Sequence, residues 1–336
     1  MREKIINAFK YLFFLALGLG LLWYISKDLN FDEVIVEAMK MNFWFFALSG
    51  VMALVSHYSR AIRWRYLIET QGYSPKTLNV FFSVLIMYVS NLVLPRSGEV
   101  ARCGSLYKYE KIPVPKLLGT VVIERFFDLL VLALGTIMLL FWQFDIVVQL
   151  YNTSRLPEII QGVTSNKWWI FSIGLIVLGV FAALFILRKN LVKLKFVEKI
   201  FDLIHQVAEG MKKVLALEKK WLFLFHTVLI WVLYFGMTYA CFYAYPPTSA
   251  LGLSAGFAVF VAGSFGMIAP TNGGIGAWHF MVIATLGIYG IAAKEATLIS
   301  NIAFVIMTFT VACYGIISLV LIQWYNLKYT AKNKNK

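Results

Sequence analysis

The sequence predicts an all-α fold: a polytopic helical membrane bundle of about eight spans, with re-entrant or broken helices and a pseudo-repeat of two halves. Three observations predict it. First, 60% of the 336 residues are hydrophobic, 14% are charged, and the mean hydropathy is +0.74. A soluble domain carries about 25% charged residues, and so few charges cannot cover a water-soluble surface of this size. Soluble enzymes, nucleic-acid modules and disordered tails are thereby excluded. Second, the apolar residues form long runs, and the 31 Lys and Arg sit between them. That placement follows the positive-inside bias of membrane proteins, so the net charge of +14 does not imply a nucleic-acid partner. Third, Pro95 and Pro270 lie 175 residues apart, close to half the chain, and each follows an apolar run. Interrupted helices at corresponding places in two halves point to a transporter site near the midplane.

The first run, 9–25, follows Arg2, Lys4 and Lys10 and continues as SKDLNFDE. No small-x-small cleavage site follows it, so it reads as a retained span. Further runs lie at 43–59, 78–95, 117–143, 168–187, 221–245, 253–269, 279–293 and 296–325. They are too long and too uniformly apolar for barrel strands, and a lipid-exposed backbone must satisfy its own hydrogen bonds, so they are helices.

Lys and Arg number three in the N-terminal stretch, two in 26–42, four in 60–77, five in 96–116, two in 144–167, nine in 188–220, none in 246–252 and four in the C-terminal tail. The rich connections are assigned to the cytoplasm. This places both termini and 188–220 inside the cell (inner) membrane, with 26–42 and 144–167 on the far side. Segments 60–77 and 96–116 are both basic, yet only the run 78–95 separates them. The simpler account is that 78–95 enters the membrane, breaks near Pro95 and returns by the same face; the other is a short ordinary span that violates the charge bias. Connection 188–220 spaces Leu194, Val197, Ile200, Phe201, Ile204, Val207, Met211 and Leu215 helically among lysines. It reads as a basic amphipathic helix on the cytoplasmic leaflet, or as a linker helix packed on the bundle. No Pro-rich or Ser-rich linker divides the chain. Residues 1–336 are therefore one integral membrane domain, with an N-terminal half of about 1–187, the helix 188–220, a C-terminal half 221–325 and a basic tail 326–336.

Charges inside apolar runs are the informative ones, because each costs about 2.5–3.5 kcal/mol at the bilayer centre. Glu124, Arg125 and Asp128 interrupt the run 117–143. Glu124 and Asp128, four apart, share a helix face, while Arg125 points about 100° away. They form either an ion-paired cluster that locks this helix to the re-entrant segment or a polar wall of a substrate path. In NLVLPRSGEVARC (91–103), Pro95 ends a helix and Gly98 permits a tight path. Arg96, Glu99 and Arg102 follow at spacings of three, on one side of a new helix. Arginine suits phosphate and a helix start favours anions, although a basic cytoplasmic turn is also ordinary in membrane proteins. In GMIAPTNGGIGAWHF (266–280), Pro270 is followed by Thr271, Asn272, Gly273, Gly274 and Gly276, a helix break whose amides could approach a ligand. Arg60, Arg63 and Arg65, with Trp64 and Tyr66, read as an interfacial girdle at the end of a span, or else as contacts to lipid headgroups.

Cys103, Cys241 and Cys313 have no disulfide or zinc spacing, and His57, His205, His226 and His279 stand singly. No metal, cofactor or ATP-hydrolysing motif is expected.

The stretch NLVLPRSGEVARCGSLYKYEKIPVPKLLGTVVIERFFDLLVL (91–132), with RAIRWRYLI before it and PTNGGIGAWHF after it, resembles the lysylphosphatidylglycerol synthase transmembrane region family over about residues 5–325. The resemblance implies a helical bundle with re-entrant segments that moves lipids between leaflets. By position it implies that Arg96, Glu99, Arg102, Glu124, Arg125 and Asp128 line the lipid path, with Pro270 to Gly276 opposite. Asn91, Thr271, Asn272, Gly273 and Gly274 complete the candidate substrate-binding set. Larger family members add a soluble aminoacyl-transfer domain; this chain stops at Lys336, so that activity is not expected.

The expected function is a flippase-like lipid translocase, not an enzyme. It would move an anionic phospholipid or a polyprenyl-phosphate-type lipid through a polar intramembrane cavity. Arg96, Arg102 and Arg125 would receive the anionic headgroup, and Glu99, Glu124 and Asp128 would hold those arginines. The alternative is a membrane-embedded, glycosyltransferase-like enzyme acting on a lipid-linked phosphate or sugar, with Asp28, Asp32 and Glu33 as its acids. A lipid phosphatase is disfavoured, since RSGE has no histidine near it.

Overall fold

The computed structural model describes residues 31–94, 97–144, 219–269 and 271–334, with Gly20 and Trp23. Most of the run 9–25, the run 168–187, the amphipathic segment up to Glu218, Pro95, Arg96 and Pro270 lie outside the described residues. By their contacts the residues fall into two units, Met1–Gly135 with Val214–Lys336, and Thr136–Lys213. Of the second unit, residues 136–144 are described, as the end of one helix.

The described residues are helical, without a strand. A short helix α1 (Phe31–Met39) precedes the long α2 (Phe43–Glu69). Asn42 caps α2 by accepting the Trp44 N–H on its side-chain oxygen at 3.1 Å. Then come α3 (Thr77–Val93), α4 (Gly98–Glu110) and α5 (Val114–Trp142). The later part holds α6 (Lys220–Ala244), the single turn α7 (Pro246–Ser249), α8 (Leu253–Ile268), α9 (Ala277–Ile288) and α10 (Ala293–Lys334).

Among the described residues, three helices are long and apolar enough to cross a membrane: α2, α6 and the first 35 residues of α10. Their outward side chains are apolar, with Val228, Val305, Phe309 and Val320 all exposed, as a lipid-facing surface requires. The protein is a multi-pass membrane protein.

The remaining apolar runs pair into hairpins. Helices α3 and α4 have 17 and 13 residues, and α8 and α9 have 16 and 12. At 1.5 Å per residue all four span roughly 18–26 Å, short of about 30 Å of hydrocarbon. Each pair packs along its length. The mouth of the first hairpin is tied shut, since the Lys76 N–H and Asn79 Nδ2 both donate to Glu110 Oε1, at 3.2 and 2.6 Å. The chain thus leaves where it entered. The charge conflict between 60–77 and 96–116 resolves in that way, and 253–269 with 279–293 are two arms of a second hairpin.

The hairpins open at opposite ends of α2. The first mouth lies by the C-terminal ends of α2 and α10, where Asn326 Nδ2 donates to Asn79 Oδ1 at 2.8 Å and Arg65 Nη1 to Thr77 Oγ1 at 2.6 Å. The core at that end joins Ala61, Trp64 and Ile68 of α2 to Val84, Cys103, Leu106, Leu117 and Val121. The core at the other end joins Phe46 to Cys241, Val259, Val282, Leu286, Ile299 and Ala303. The Asn42 N–H donates to the Ala244 carbonyl there, at 2.8 Å.

Helices α2, α3, α4 and α5 therefore correspond to α6, α8, α9 and α10 with inverted direction. The contacts match in part: α3 packs on α4 as α8 packs on α9, and α2 on α3 as α6 on α8, whereas α3 packs along α10 and α8 meets α5 at Gly135, where a Cβ would stand 3.7 Å from the Phe257 ring. The two tips meet. The 3-10 turn Asn272–Gly274 touches α3, and a Cβ on Gly273 would stand 3.7 Å from Leu92 Cδ2. Gly273, Gly274 and Gly276 all have positive φ (60°, 83° and 78°), the conformation this tight reversal needs.

Candidate functional site

Among the described residues, Arg60, Arg63, Arg102, Glu124, Arg125 and Asp128 collect in one network. Glu124 lies ten residues into α5, and Arg60 lies nine residues before the end of α2. Both are therefore about 14–15 Å from the basic end, roughly one third of the way along their helices. Glu124 is completely buried. Its Oε1 accepts from Arg60 Nη1 at 2.7 Å and Arg125 Nη2 at 2.8 Å, with Arg63 Nη2 at 3.3 Å, and its Oε2 accepts from Arg102 Nη1 at 3.0 Å. Asp128 accepts from Arg63 Nη2 on Oδ1 at 2.8 Å. Its Oδ2 pairs with Arg125 Nη2 at 3.0 Å and Arg60 Nη1 at 3.3 Å.

Helix α6 closes the network. Arg60 Nη2 donates to Tyr234 OH at 3.1 Å, and Arg63 Nη1 to Thr227 Oγ1 at 3.3 Å. Tyr88 OH lies 3.1 Å from Tyr234 OH. On the hairpin side the Arg102 guanidinium lies over the Trp64 ring, 4.4 Å from its centroid, and Trp64 Nε1 donates to Thr120 Oγ1 at 2.9 Å. Four guanidinium groups share two carboxylates, an excess of two positive charges. Three of the arginines are at most 3% exposed; Arg125, with a side chain 39% exposed, is the rim.

Such a network is held in place because each member satisfies another. A lone charge at this depth is costly, whereas shared ion pairs with further hydrogen bonds are tolerated.

Two sequence expectations are corrected. Arg60 and Arg63 are not an interfacial girdle. The helix does not end at the first charge near residue 59 but continues to Glu69, which carries both arginines inside the bundle. Of the three, Arg65 alone keeps a surface role, pairing with Glu69 one turn on at 3.0 Å. Arg125 does not point away from its neighbours either. Its backbone direction does, but the long side chain reaches back to both carboxylates.

The other expected site residues separate. Arg102, Glu124, Arg125 and Asp128 come together. Glu99 is half-buried in the first turn of α4. Asn91 holds the hairpin tip, its Oδ1 accepting the Gly98 N–H at 2.8 Å. Thr271, Gly273 and Gly274 form the opposing tip, where Thr271 Oγ1 is buried without a hydrogen-bond partner. The side chain of Asn272 and all of Arg96 lie outside the described residues. The tips meet through Leu92 and Gly273, an apolar contact, so the polar groups gather beside the first hairpin rather than between the tips. Sequence reasoning placed Arg60 and Arg63 at the interface rather than in this network, and missed Tyr88 and Tyr234. The available signal was the i, i+3 spacing of Arg60 and Arg63 directly after an apolar run.

No group of three or more His, Cys, Asp or Glu that could hold a metal occurs among the described residues.

Comparison with known proteins adds the family. The profile described as lysylphosphatidylglycerol synthase TM region matches residues 11–315. The chain is 28% identical to the UPF0104 membrane protein MJ1595 of Methanocaldococcus jannaschii over 130 residues, 38% of this chain and 36% of that protein. It is 33% identical to the glycosyltransferase AglD of Haloferax volcanii over 88 residues, 26% of this chain and 14% of that protein. Each match spans well under half of the relative's own length.

Proposed function

The chain belongs to the lysylphosphatidylglycerol synthase TM region family of membrane proteins, and on that premise we propose that it is a lipid translocase. It passes an anionic phospholipid or a polyprenyl-phosphate-type lipid between leaflets and makes or breaks no bond in it. The observation that carries this reading is the cluster of Arg60, Arg63, Arg102 and Arg125 on Glu124 and Asp128 inside the bundle. Its excess of positive charge suits an anionic headgroup, while the acyl or prenyl chains stay in the bilayer. The carboxylates give each of these arginines an ion-pair partner when the site is empty, and exchange of partners allows release. Opposed hairpins with touching tips are the architecture that lets a midplane site face either leaflet in turn. The basic end, with Lys76, Lys108, Lys111, Lys116, Lys219 and Lys220, faces the cytoplasm of the cell membrane in this reading.

The test is lipid movement in proteoliposomes, read as the fraction of a fluorescent phosphatidylglycerol and, separately, of a fluorescent phosphatidic acid that an impermeant quencher reaches. Wild-type protein should equilibrate the leaflets. Arg125→Gln, a change at the partly exposed rim, should slow this about tenfold or more while remaining monodisperse. Equal rates for wild type, variant and empty liposomes would refute the reading.

The similarity to a glycosyltransferase favours a second reading, an enzyme acting on a lipid-linked phosphate or sugar. It predicts a mass change in a lipid-linked sugar incubated with the protein; the translocase reading predicts none.

A further inference from the structure

Resting on the translocase reading, we infer that the headgroup this site selects is a terminal phosphate monoester, a dianion, rather than the singly charged phosphodiester of a common phospholipid. Two independent features of the cluster carry the inference: one open hydrogen-bonding edge, and the charge count.

The open edge belongs to Arg102. Its side chain is fully buried, yet it makes one hydrogen bond, from Nη1 to Glu124 Oε2 at 3.0 Å. Nε and Nη2 have no partner. These two nitrogens lie along the same edge of the guanidinium, the edge that meets two oxygens of one phosphate through parallel hydrogen bonds. The Trp64 ring 4.4 Å away fixes the plane of that fork. The buried neighbours differ. Arg60 and Arg63 each use both terminal nitrogens, on Glu124, Asp128, Tyr234 and Thr227, and keep only Nε unpartnered. Among these groups there is thus one fork for one phosphate. A buried donor edge without a partner costs free energy that an arriving anion recovers.

The charge count selects between phosphates. Among the described residues the groups joined by ion pairs in this network are four arginines and two carboxylates, an excess of two positive charges. A phosphodiester brings one negative charge, and a phosphate monoester about −1.5 to −2 at pH 7. Only the monoester brings the whole network, its rim arginine Arg125 included, close to neutrality, and in a low-dielectric interior that difference is amplified. A lipid with two phosphodiesters has enough charge, but each of its phosphates is a monoanion, and among the three buried arginines Arg102 alone has an unpartnered Nε–Nη2 edge to receive one.

The chain of residues 1–336 in nanodiscs, titrated and monitored by native mass spectrometry, tests this. The probes are phosphatidic acid and decaprenyl monophosphate as monoesters, phosphatidylglycerol, cardiolipin, and inorganic phosphate alone. Both monoester lipids should bind about tenfold or more tighter than phosphatidylglycerol. Arg125→Gln lowers the excess from two charges to one and should shrink that preference below about threefold. Arg102→Lys keeps the charge but loses the fork, and should weaken the monoesters about tenfold while changing phosphatidylglycerol less. Should Arg102→Lys fail to fold, Arg125→Gln decides alone. Phosphatidylglycerol or cardiolipin binding as tightly as the monoesters, or an unchanged preference in Arg125→Gln, overturns the inference. So does inorganic phosphate matching the lipids, which would make this a site for free phosphate. In the first of those outcomes quenchable phosphatidylglycerol still crosses proteoliposomes and the translocase reading stands. If no lipid binds and none crosses, both fall.

Discussion

Arg60 and Glu124 are 64 residues apart in sequence, and the Arg60 guanidinium meets the Glu124 carboxylate at 2.7 Å with both side chains almost wholly buried. This ion pair ties α2 to α5, and through the same carboxylate Arg102 ties in the first hairpin. Stability and the candidate site therefore share one residue.

Glu124→Gln should destabilise the protein by about 3–5 kcal/mol, because it leaves four arginines around Asp128. Removing a positive charge as well, in Glu124→Gln with Arg60→Gln, should recover part of that loss. A double-mutant cycle of melting temperatures in detergent measures it. Additive losses would mean that the two groups are not coupled as their contact implies.

Two glycines on α4 should behave oppositely when changed to alanine. A Cβ at Gly98 would lie 2.3 Å from the Met87 carbonyl and 2.6 Å from Asn91 Nδ2, so the hairpin must open. The expected loss is about 1–3 kcal/mol. Gly104 has nothing within 4 Å of that position, and Gly104→Ala in mid-helix should gain about 0.5–1 kcal/mol. Equal effects on the melting temperature would contradict the hairpin packing.

The touching tips predict a cross-link. In a cysteine-free background, Leu92→Cys with Gly273→Cys should form a disulfide under mild oxidant, read as altered gel mobility. In the translocase reading it should also block lipid movement until reduced. The strain of a side chain at the positive φ of residue 273 is about 1–2 kcal/mol, small enough for the variant to fold. No cross-link under oxidant would place the tips apart.

The orientation is checked by single cysteines at either end. Lys108→Cys and Lys220→Cys, at the basic end, should be labelled by an impermeant maleimide only after cells are opened. Lys40→Cys, beside the start of α2, should be labelled in intact cells. The reverse pattern would invert the assignment.

Much of this was legible in the chain. Glu124 and Asp128 stood out because a charge inside an apolar run must find a partner. The break near Pro95 stood out because the two flanking basic segments could not both be cytoplasmic across a single span, and Pro270 because it sits at the matching place in the other half. Arg60 and Arg63 were misjudged for a physical reason. A hydropathy run ends at the first charge, but a helix does not, and α2 continues ten residues beyond its apolar stretch. The reach of Arg125 was misjudged because backbone direction says little about where a long side chain ends.

By itself the sequence determined a membrane bundle, two interrupted helices at matched places, and a set of intramembrane charges that could not stand alone. Those follow from local quantities: hydropathy, proline and glycine geometry, and the cost of charge in hydrocarbon. Which charges meet was decided only by tertiary structure. Glu124 gathers Arg60 from 64 residues away and Arg102 from 22 because α2, α4 and α5 pack around it, with α6 adding Tyr234 and Thr227. The open edge of Arg102 and the contact of Leu92 with Gly273 are likewise products of helix packing. Helix periodicity sets which face a residue occupies, but which face it meets depends on how separate helices cross.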